Sequence, residues 1–218
     1  TNYVMLYAPI GVFGLIAYTV TRHGLSVLLP LGKLILTAFI ATVIFVVVTY
    51  LPIIKLIGMK ISDYLKGAFE PWLIAFTTCS SAAALAVNLE ASRKMGASKA
   101  IASFAIPLGN TINMNGTSIY MGVTAVFAAE VFGIDLTLTQ QFQIVLMGVL
   151  AAVGTAGVPG AGLIMTTLVF TEVGIPLEAV ALIAGIDRIL DMIRTSVNVL
   201  GDCLTALVVS KSEGVLGT

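Results

Sequence analysis

Asp187-Arg-Ile-Leu-Asp191-Met-Ile-Arg194-Thr195-Ser-Val-Asn198-Val-Leu-Gly-Asp202 is the stretch that decides the fold. Asp187, Asp191, Arg194, Asn198 and Asp202 step by four, three, four and four residues, so on a helix they share one face. The residues between them are mostly apolar, and so are the segments around them. An ionisable group at the centre of a bilayer costs at least about 2.5–3.5 kcal/mol on insertion scales, so such a face turns into the protein and marks function. The bland alternative is a structural ladder in which Asp191 and Arg194 neutralise each other.

The rest of the chain fits a membrane setting. Of 218 residues, 58% are hydrophobic and 10% charged, with a mean hydropathy of +1.06, whereas about a quarter of a soluble domain is charged. Eleven Lys and Arg balance 11 Asp and Glu, which leaves no basic stripe for nucleic acid and no acidic tail. Cys79 and Cys203 sit in apolar segments without CxxC spacing, and His23 is the single histidine, so neither a disulfide framework nor a zinc site is expected. Residues 1–20 are apolar but lack the basic start and small-residue cleavage site of a signal peptide, and are expected to be a mature membrane helix.

Charge-free stretches mark the spans, since about 20 apolar residues cross the hydrocarbon. Tyr3 to Val20 and Leu34 to Ile54 read as single crossings joined through Arg22, His23, Gly24 and Lys33. Pro71 to Leu89 is interrupted by Thr77, Thr78, Cys79, Ser80 and Ser81 and is flanked by Lys55, Lys60 and Lys66 before and Arg93, Lys94 and Lys99 after. A re-entrant hairpin puts both basic loops in the cytoplasm, as the positive-inside tendency requires. Ala100 to Ala129 then crosses to Glu130 and Asp135. Leu136 to Thr171 would be about 54 Å long as one helix, too long for one crossing and short for two. Its middle, Gly154-Thr-Ala-Gly-Val-Pro-Gly-Ala-Gly162, breaks a helix, so a second hairpin entering from outside is expected. Glu172 and Glu178 return the chain outside before a last crossing, about 179–210, ending at Lys211.

The expected fold class is therefore all-α: a membrane protein with transmembrane helices plus two oppositely oriented re-entrant helical hairpins, an inverted repeat. Interrupted segments repeated in opposite orientation point to a secondary-transporter site; a channel would need rings of groups from several subunits. Gly109-Asn-Thr-Ile-Asn-Met-Asn-Gly-Thr117 should unwind the fourth stretch and expose carbonyls suited to a hard cation such as sodium. A glycine kink with asparagines bonded across helices is the alternative there.

Asn113-Met-Asn-Gly-Thr117, Gly154-Thr-Ala-Gly-Val-Pro-Gly160 and Asp191-Met-Ile-Arg-Thr-Ser-Val-Asn198-Val-Leu-Gly-Asp202 resemble, in this order, the dicarboxylate/amino acid:cation symporters, the glutamate transporter family. The resemblance implies an elevator-type transporter whose C-terminal half this chain is similar to. Residues 1–54 would be two transmembrane helices, the first scaffold-like and the second leading into a transport core at 55–218. That core would comprise a hairpin at about 68–96, a broken helix at about 100–129, a second hairpin at about 136–171 and the last helix. The family implies sodium-coupled uptake of aspartate or glutamate in a cell (inner) membrane, a homotrimer when the N-terminal half is present, and no organic cofactor.

Carried over residue by residue, the resemblance gives Arg194 the side-chain carboxylate of the substrate, Asp191 its ammonium, and Thr195 and Asn198 the α-carboxylate region. A guanidinium fork suits a carboxylate and a carboxylate suits an ammonium, so the chemistry agrees. Thr117 would face the distal carboxylate, with Ser81, Gly157, Val158 and Gly160 around the ligand and half-helix N-termini adding positive dipole ends. Asp202 would ligate one sodium with oxygens of Gly109, Asn113 and Asn198. A second site would use carbonyls of Thr111, Ala152, Val153 and Thr155 near Met114. The family pattern carries an aspartate where Asn115 stands, which removes a formal charge from a third sodium site. The first tip reads Cys79-Ser-Ser-Ala82, without the arginine that often precedes it in the family; Arg188, one turn from the binding face, would partly substitute. Rival readings are a C4-dicarboxylate or neutral amino acid symporter, an inactive structural fragment, and an intramembrane aspartyl protease. The protease is disfavoured because the three aspartates are strung along one helix and cannot share a proton.

Overall fold

The computed structural model describes residues 28–217 continuously and scattered positions between 7 and 25, and all its regular structure among these residues is helical. The span expected at 3–20 and the loop residues Arg22 and His23 lie largely outside the described residues.

Helix α1, Leu28–Leu56, is long and apolar enough to cross a membrane, as is the last helix. Its outward face carries exposed Leu36, Phe39, Ile40, Ile44 and Val48, a surface suited to lipid rather than water. At Val46–Tyr50 the helix widens into a π-helical turn, with Leu51 N–H bonded back to the Val46 carbonyl. Pro52 follows and has no N–H to continue the ordinary ladder. The widened turn carries Tyr50 inward, where its hydroxyl donates to the Val197 carbonyl at 3.2 Å.

Two helical pairs follow. Helices α2 (Ile61–Thr78) and α3 (Ser81–Lys94) pack on each other, joined only by Cys79 and Ser80. Ser80 caps α3 by accepting the Ala83 N–H. Helices α4 (Lys99–Ile112) and α5 (Asn115–Val131) are separated by Asn113 and Met114 alone. The unwinding is thus shorter than the expected 109–117, because Gly109 to Ile112 and Asn115 to Thr117 stay helical. The second pair, α6 (Leu138–Val153) and α7 (Ala161–Val173), begins with a Thr137/Gln140 capping box and turns through Gly154 to Gly160. Gly160 holds φ +78°, a conformation open to glycine at little cost.

The last crossing differs from the single helix expected at 179–210. Helix α8 (Glu178–Ala184) ends at Gly185, which packs against Ile16, and α9 (Asp187–Ser212) restarts after Ile186. Helix α9 is the central mast, packed against α1, α2, α3, α4 and α5. One apolar cluster lies at its start with α1, α5, α6, α7 and α8, and another on its later turns with α1, α2 and α4. Both tips and the α4–α5 break converge on the first half of α9.

Glycine permits the closest approach. A side chain at Gly116 would overlap the backbone of Arg194, whereas one at Gly122 on the same helix would meet nothing within 4 Å. Gly116→Ala should therefore cost about 1–3 kcal/mol or more, as overpacking does. Gly122→Ala should be neutral or slightly stabilising. Thermal unfolding of the two variants, followed by size-exclusion chromatography after heating, checks the contrast.

Candidate functional site

Asp187, Asp191, Arg194, Thr195, Asn198 and Asp202 are all buried on α9. Arg194 is held from two sides: Nη1 lies 3.0 Å from Asp187 Oδ1 and Nε 3.1 Å from Asp191 Oδ1. Its guanidinium carbon stands 4.2 Å from the centre of the Tyr120 ring, a cation–π contact from α5. Gly162 on α7 leaves room for it, since a Cβ there would lie 2.7 Å from the guanidinium carbon. Thr195 donates to Asp191 Oδ1 at 2.7 Å, and Asp191 Oδ2 accepts the Gly160 N–H at 2.9 Å. One carboxylate thus serves the guanidinium, a hydroxyl and the tip of the second helix pair.

The two tips also touch. The Gly157 carbonyl accepts from Ser80 Oγ at 2.9 Å and from the Ala82 N–H at 3.2 Å. A Cβ at Gly157 would overlap Ser81 Oγ and press on Asn110. Ser81 Oγ and Asn110 Oδ1 are buried there without a hydrogen-bond partner.

Eight of the residues expected around a substrate line one small cavity: Ser81, Thr117, Gly157, Val158, Asp191, Arg194, Thr195 and Asn198, joined by Met114, Thr155, Ala156 and Gly162. Gly160 stands behind it through its bond to Asp191. The cavity measures about 10 Å³, on the order of one water. Larger clefts lie elsewhere, such as one of about 610 Å³ between α1 and α5, but they hold none of these groups.

Lower on α9, Asn113 Nδ2 donates to Asp202 Oδ1 at 2.9 Å, and Gly109 passes so close that a Cβ would press on the carboxylate. Asn115 Nδ2 donates to Asn113 Oδ1 at 2.7 Å and to the Tyr50 hydroxyl at 3.1 Å. Asn198 accepts the Gly116 N–H at 2.8 Å and donates to Met114 Sδ and Thr117 Oγ1, both at 3.1 Å. Its side chain thus braces the α4–α5 break. Of the second expected ion set, Thr155 is buried with its hydroxyl on the Ala151 carbonyl, while Ala152 O already accepts the Thr155 N–H. Thr111 and Val153 are exposed, so this set is not enclosed. Among the described residues, no three His, Cys, Asp or Glu side chains cluster as a metal site.

Ser80, Asn110, Tyr50 and Tyr120 are not singled out as site residues by the sequence motifs. Ser80 carries a signal, a serine three residues before Ala83 at a helix start. Tyr50 and Tyr120 look like ordinary apolar-helix aromatics, and only packing reveals their contacts.

Buried charge on an apolar mast, braced by broken helices and two meeting tips, defines a polytopic α-helical membrane protein with a polar site inside. The family is then plain: the model of the sodium:dicarboxylate symporter family matches residues 1–212, and the chain belongs to that family of transporters. Over 214 residues it is 41% identical to a proton/sodium-glutamate symport protein of Geobacillus stearothermophilus, covering 98% of this chain and 51% of that protein. It is 40% identical over 213 residues to the proton/glutamate-aspartate symporter of Escherichia coli (strain K12), covering 98% and 49%. A C4-dicarboxylate transport protein of Bacillus subtilis (strain 168) is 39% identical over 214 residues, covering 97% and 51%. The chain spans about half the length of these relatives.

The amide relay yields a test. In Asn115→Asp a carboxylate one relay step from Asp202 would face the Asn113 carbonyl oxygen, and the donor to Asn113 and Tyr50 would be lost. The variant should lose about 1–3 kcal/mol of stability in choline buffer and recover much of it in sodium, which supplies the missing positive charge. Melting curves in the two salts check this; equal losses in both would rule out a cation between the two acids.

Proposed function

We propose that this chain forms the substrate- and ion-binding half of a sodium-coupled symporter for an acidic amino acid, working by alternating access. The carrying observation is the Asp187–Arg194–Asp191 cluster beneath two tips that share the Gly157 carbonyl. Arg194 exchanges its bonds to Asp187 and Asp191 for the fork of the substrate's distal carboxylate. Asp191, so released, takes the ammonium, and Thr117, Thr195 and Asn198 complete the polar lining. Asp191 also accepts the Gly160 N–H, so a ligand that engages it bears directly on closure of the second tip.

Charge arithmetic supports cation coupling. Two carboxylates against one guanidinium leave one formal negative charge, Asp202 adds another, and an acidic amino acid brings a net third. Such an accumulation in a low-dielectric interior is costly unless cations enter with the substrate. Sodium at Asp202 with oxygens of Gly109, Asn113 and Asn198 meets that need, and a second ion with Thr111, Ala152, Val153 and Thr155 requires a rearrangement of the second tip that encloses those oxygens. In this reading the helical pairs are re-entrant hairpins of opposite orientation, 55–218 moves as an elevator-type transport core in a bacterial-type inner membrane, and the complete protein is a homotrimer. Asp191 favours an amino acid over a C4-dicarboxylate, which has no ammonium to offer it.

Removing Arg194 outright would strand two buried carboxylates, so the informative variant is Arg194→Lys, which keeps charge and loses the fork. In the full-length protein its affinity for aspartate and glutamate should fall by about 10- to 100-fold. Succinate affinity, measured alongside, tells the amino acid reading from the dicarboxylate one. Isothermal titration showing unchanged aspartate affinity would remove Arg194 from the substrate site, and succinate binding tighter than aspartate would overturn the amino acid assignment.

A further inference from the structure

We propose that Asn110 is a built-in brake on the second tip: its buried amide makes seating of that tip costly, so that the tip stays down only over a filled site. Asn110 stands in the last turn of α4, one turn before Met114. Met114 lines the central cavity and Asn110 does not.

The tip meets Asn110 through Gly157, which is subject to two opposed effects. Its carbonyl is held down by the first tip, through Ser80 Oγ at 2.9 Å and the Ala82 N–H at 3.2 Å. Its α-carbon presses on polar atoms that gain nothing from it. A Cβ there would overlap Ser81 Oγ and stand 3.1 Å from both Nδ2 and Oδ1 of Asn110. A C–H bond of Gly157 therefore fills the space between that hydroxyl and that amide, where a partner for both would have to stand. Ser81 Oγ and Asn110 Oδ1 are buried and unbonded. A polar atom left so costs more than a typical hydrogen bond returns.

The two atoms differ in what a ligand does for them. Ser81 lines the cavity, so a polar ligand gives its hydroxyl a partner. Asn110 lies outside the cavity lining, and its cost persists whatever the cavity holds. As a residue it is only half-buried, so lifting Gly157 opens its amide to the solvent that enters beneath a raised tip. The result is a fixed bias toward the raised tip, carried by a side chain that no ligand touches. Such a bias lowers the affinity of every ligand that needs the tip seated, by the same factor for each.

The proposal rests on the reading of the second tip as a gate over an acidic amino acid, and the measurements separate the two. In the full-length protein, Asn110→Leu keeps the size of the side chain and removes its polar atoms. In calorimetric titrations at fixed sodium, aspartate and glutamate should both bind about 5- to 50-fold more tightly than to the parent. The ratio of the two affinities should stay within about twofold, and the gain should appear as slower release. A residue that merely supported the fold would lower affinity or leave it alone. The tip itself is read from Ala161→Cys in a background without other cysteines, through the rate of alkylation by a membrane-permeant maleimide. In sodium without substrate, Asn110→Leu should slow that rate. If Asn110→Leu does not fold, Asn110→Ala takes its place with the same expected direction. Affinities unchanged within about twofold, or reduced, in a variant that melts like its parent overturn the brake. A gain confined to one of the two ligands does so too, since it would make Asn110 a contact residue. If the parent binds aspartate but its reporter does not respond to sodium plus aspartate, the gate reading falls and the brake with it. A parent that binds neither ligand in sodium overturns the acidic amino acid reading instead.

Discussion

Everything in this molecule is arranged around a guanidinium that has left water. Arg194 is stable in the interior only because Asp187 and Asp191 flank it and the Tyr120 ring covers it. Removing one partner of such a group typically costs about 3–5 kcal/mol. Its surroundings are correspondingly fixed in shape. Gly116 lets α5 pass against the Arg194 backbone, and Gly162 lets α7 pass against its side chain. Both helices begin at points where the chain has just been non-helical, at Asn113–Met114 and at Gly154–Gly160. Breaks and glycines are therefore consequences of one buried charge as much as independent features.

Asp202, two turns further along α9, is kept in the interior by different means. What meets its carboxylate is a relay of amides, Asn115 to Asn113 to Oδ1, anchored on the Tyr50 hydroxyl. The relay depends on the π-helical turn in α1, since ordinary helical winding would rotate Tyr50 off this line. One helix thus shows two solutions to the same problem: a strong ion pair near the tips and neutral dipoles near the α4–α5 break. The second is the softer, since a neutral amide hydrogen balances a carboxylate less than a guanidinium does.

Much of this is legible in the sequence, for identifiable reasons. The four-three-four-four spacing from Asp187 to Asp202 puts those groups on one buried face, because helix geometry leaves no other arrangement. The glycine and proline run at 154–160 announces a turn, since few other conformations accommodate it. The family assignment follows from three motifs in order. Other features depend on packing that no local pattern encodes. Arg194 reaches Asp187, seven residues away, as well as Asp191. Ser80, not Ser81, carries the side-chain bond between the tips. The break at Gly185 between α8 and α9 escapes a hydropathy reading because the flanking residues are apolar on both sides and continue the pattern of a single crossing.

The carbonyl of Gly157 receives bonds from Ser80 and Ala82 at once, so these bonds exist only while both tips are seated. Lifting either tip breaks them all, and lifting the other afterwards costs nothing more on their account. A shared acceptor of this kind makes the two separations cooperative: it favours the state with both tips seated and adds nothing once one has lifted. What then holds the remaining tip are the contacts that each keeps to itself, Thr77 with Arg188 on one side and Gly160 with Asp191 on the other. In the proposed carrier, the private bonds to α9 would set the tightness of coupling and the common bond the time spent occluded.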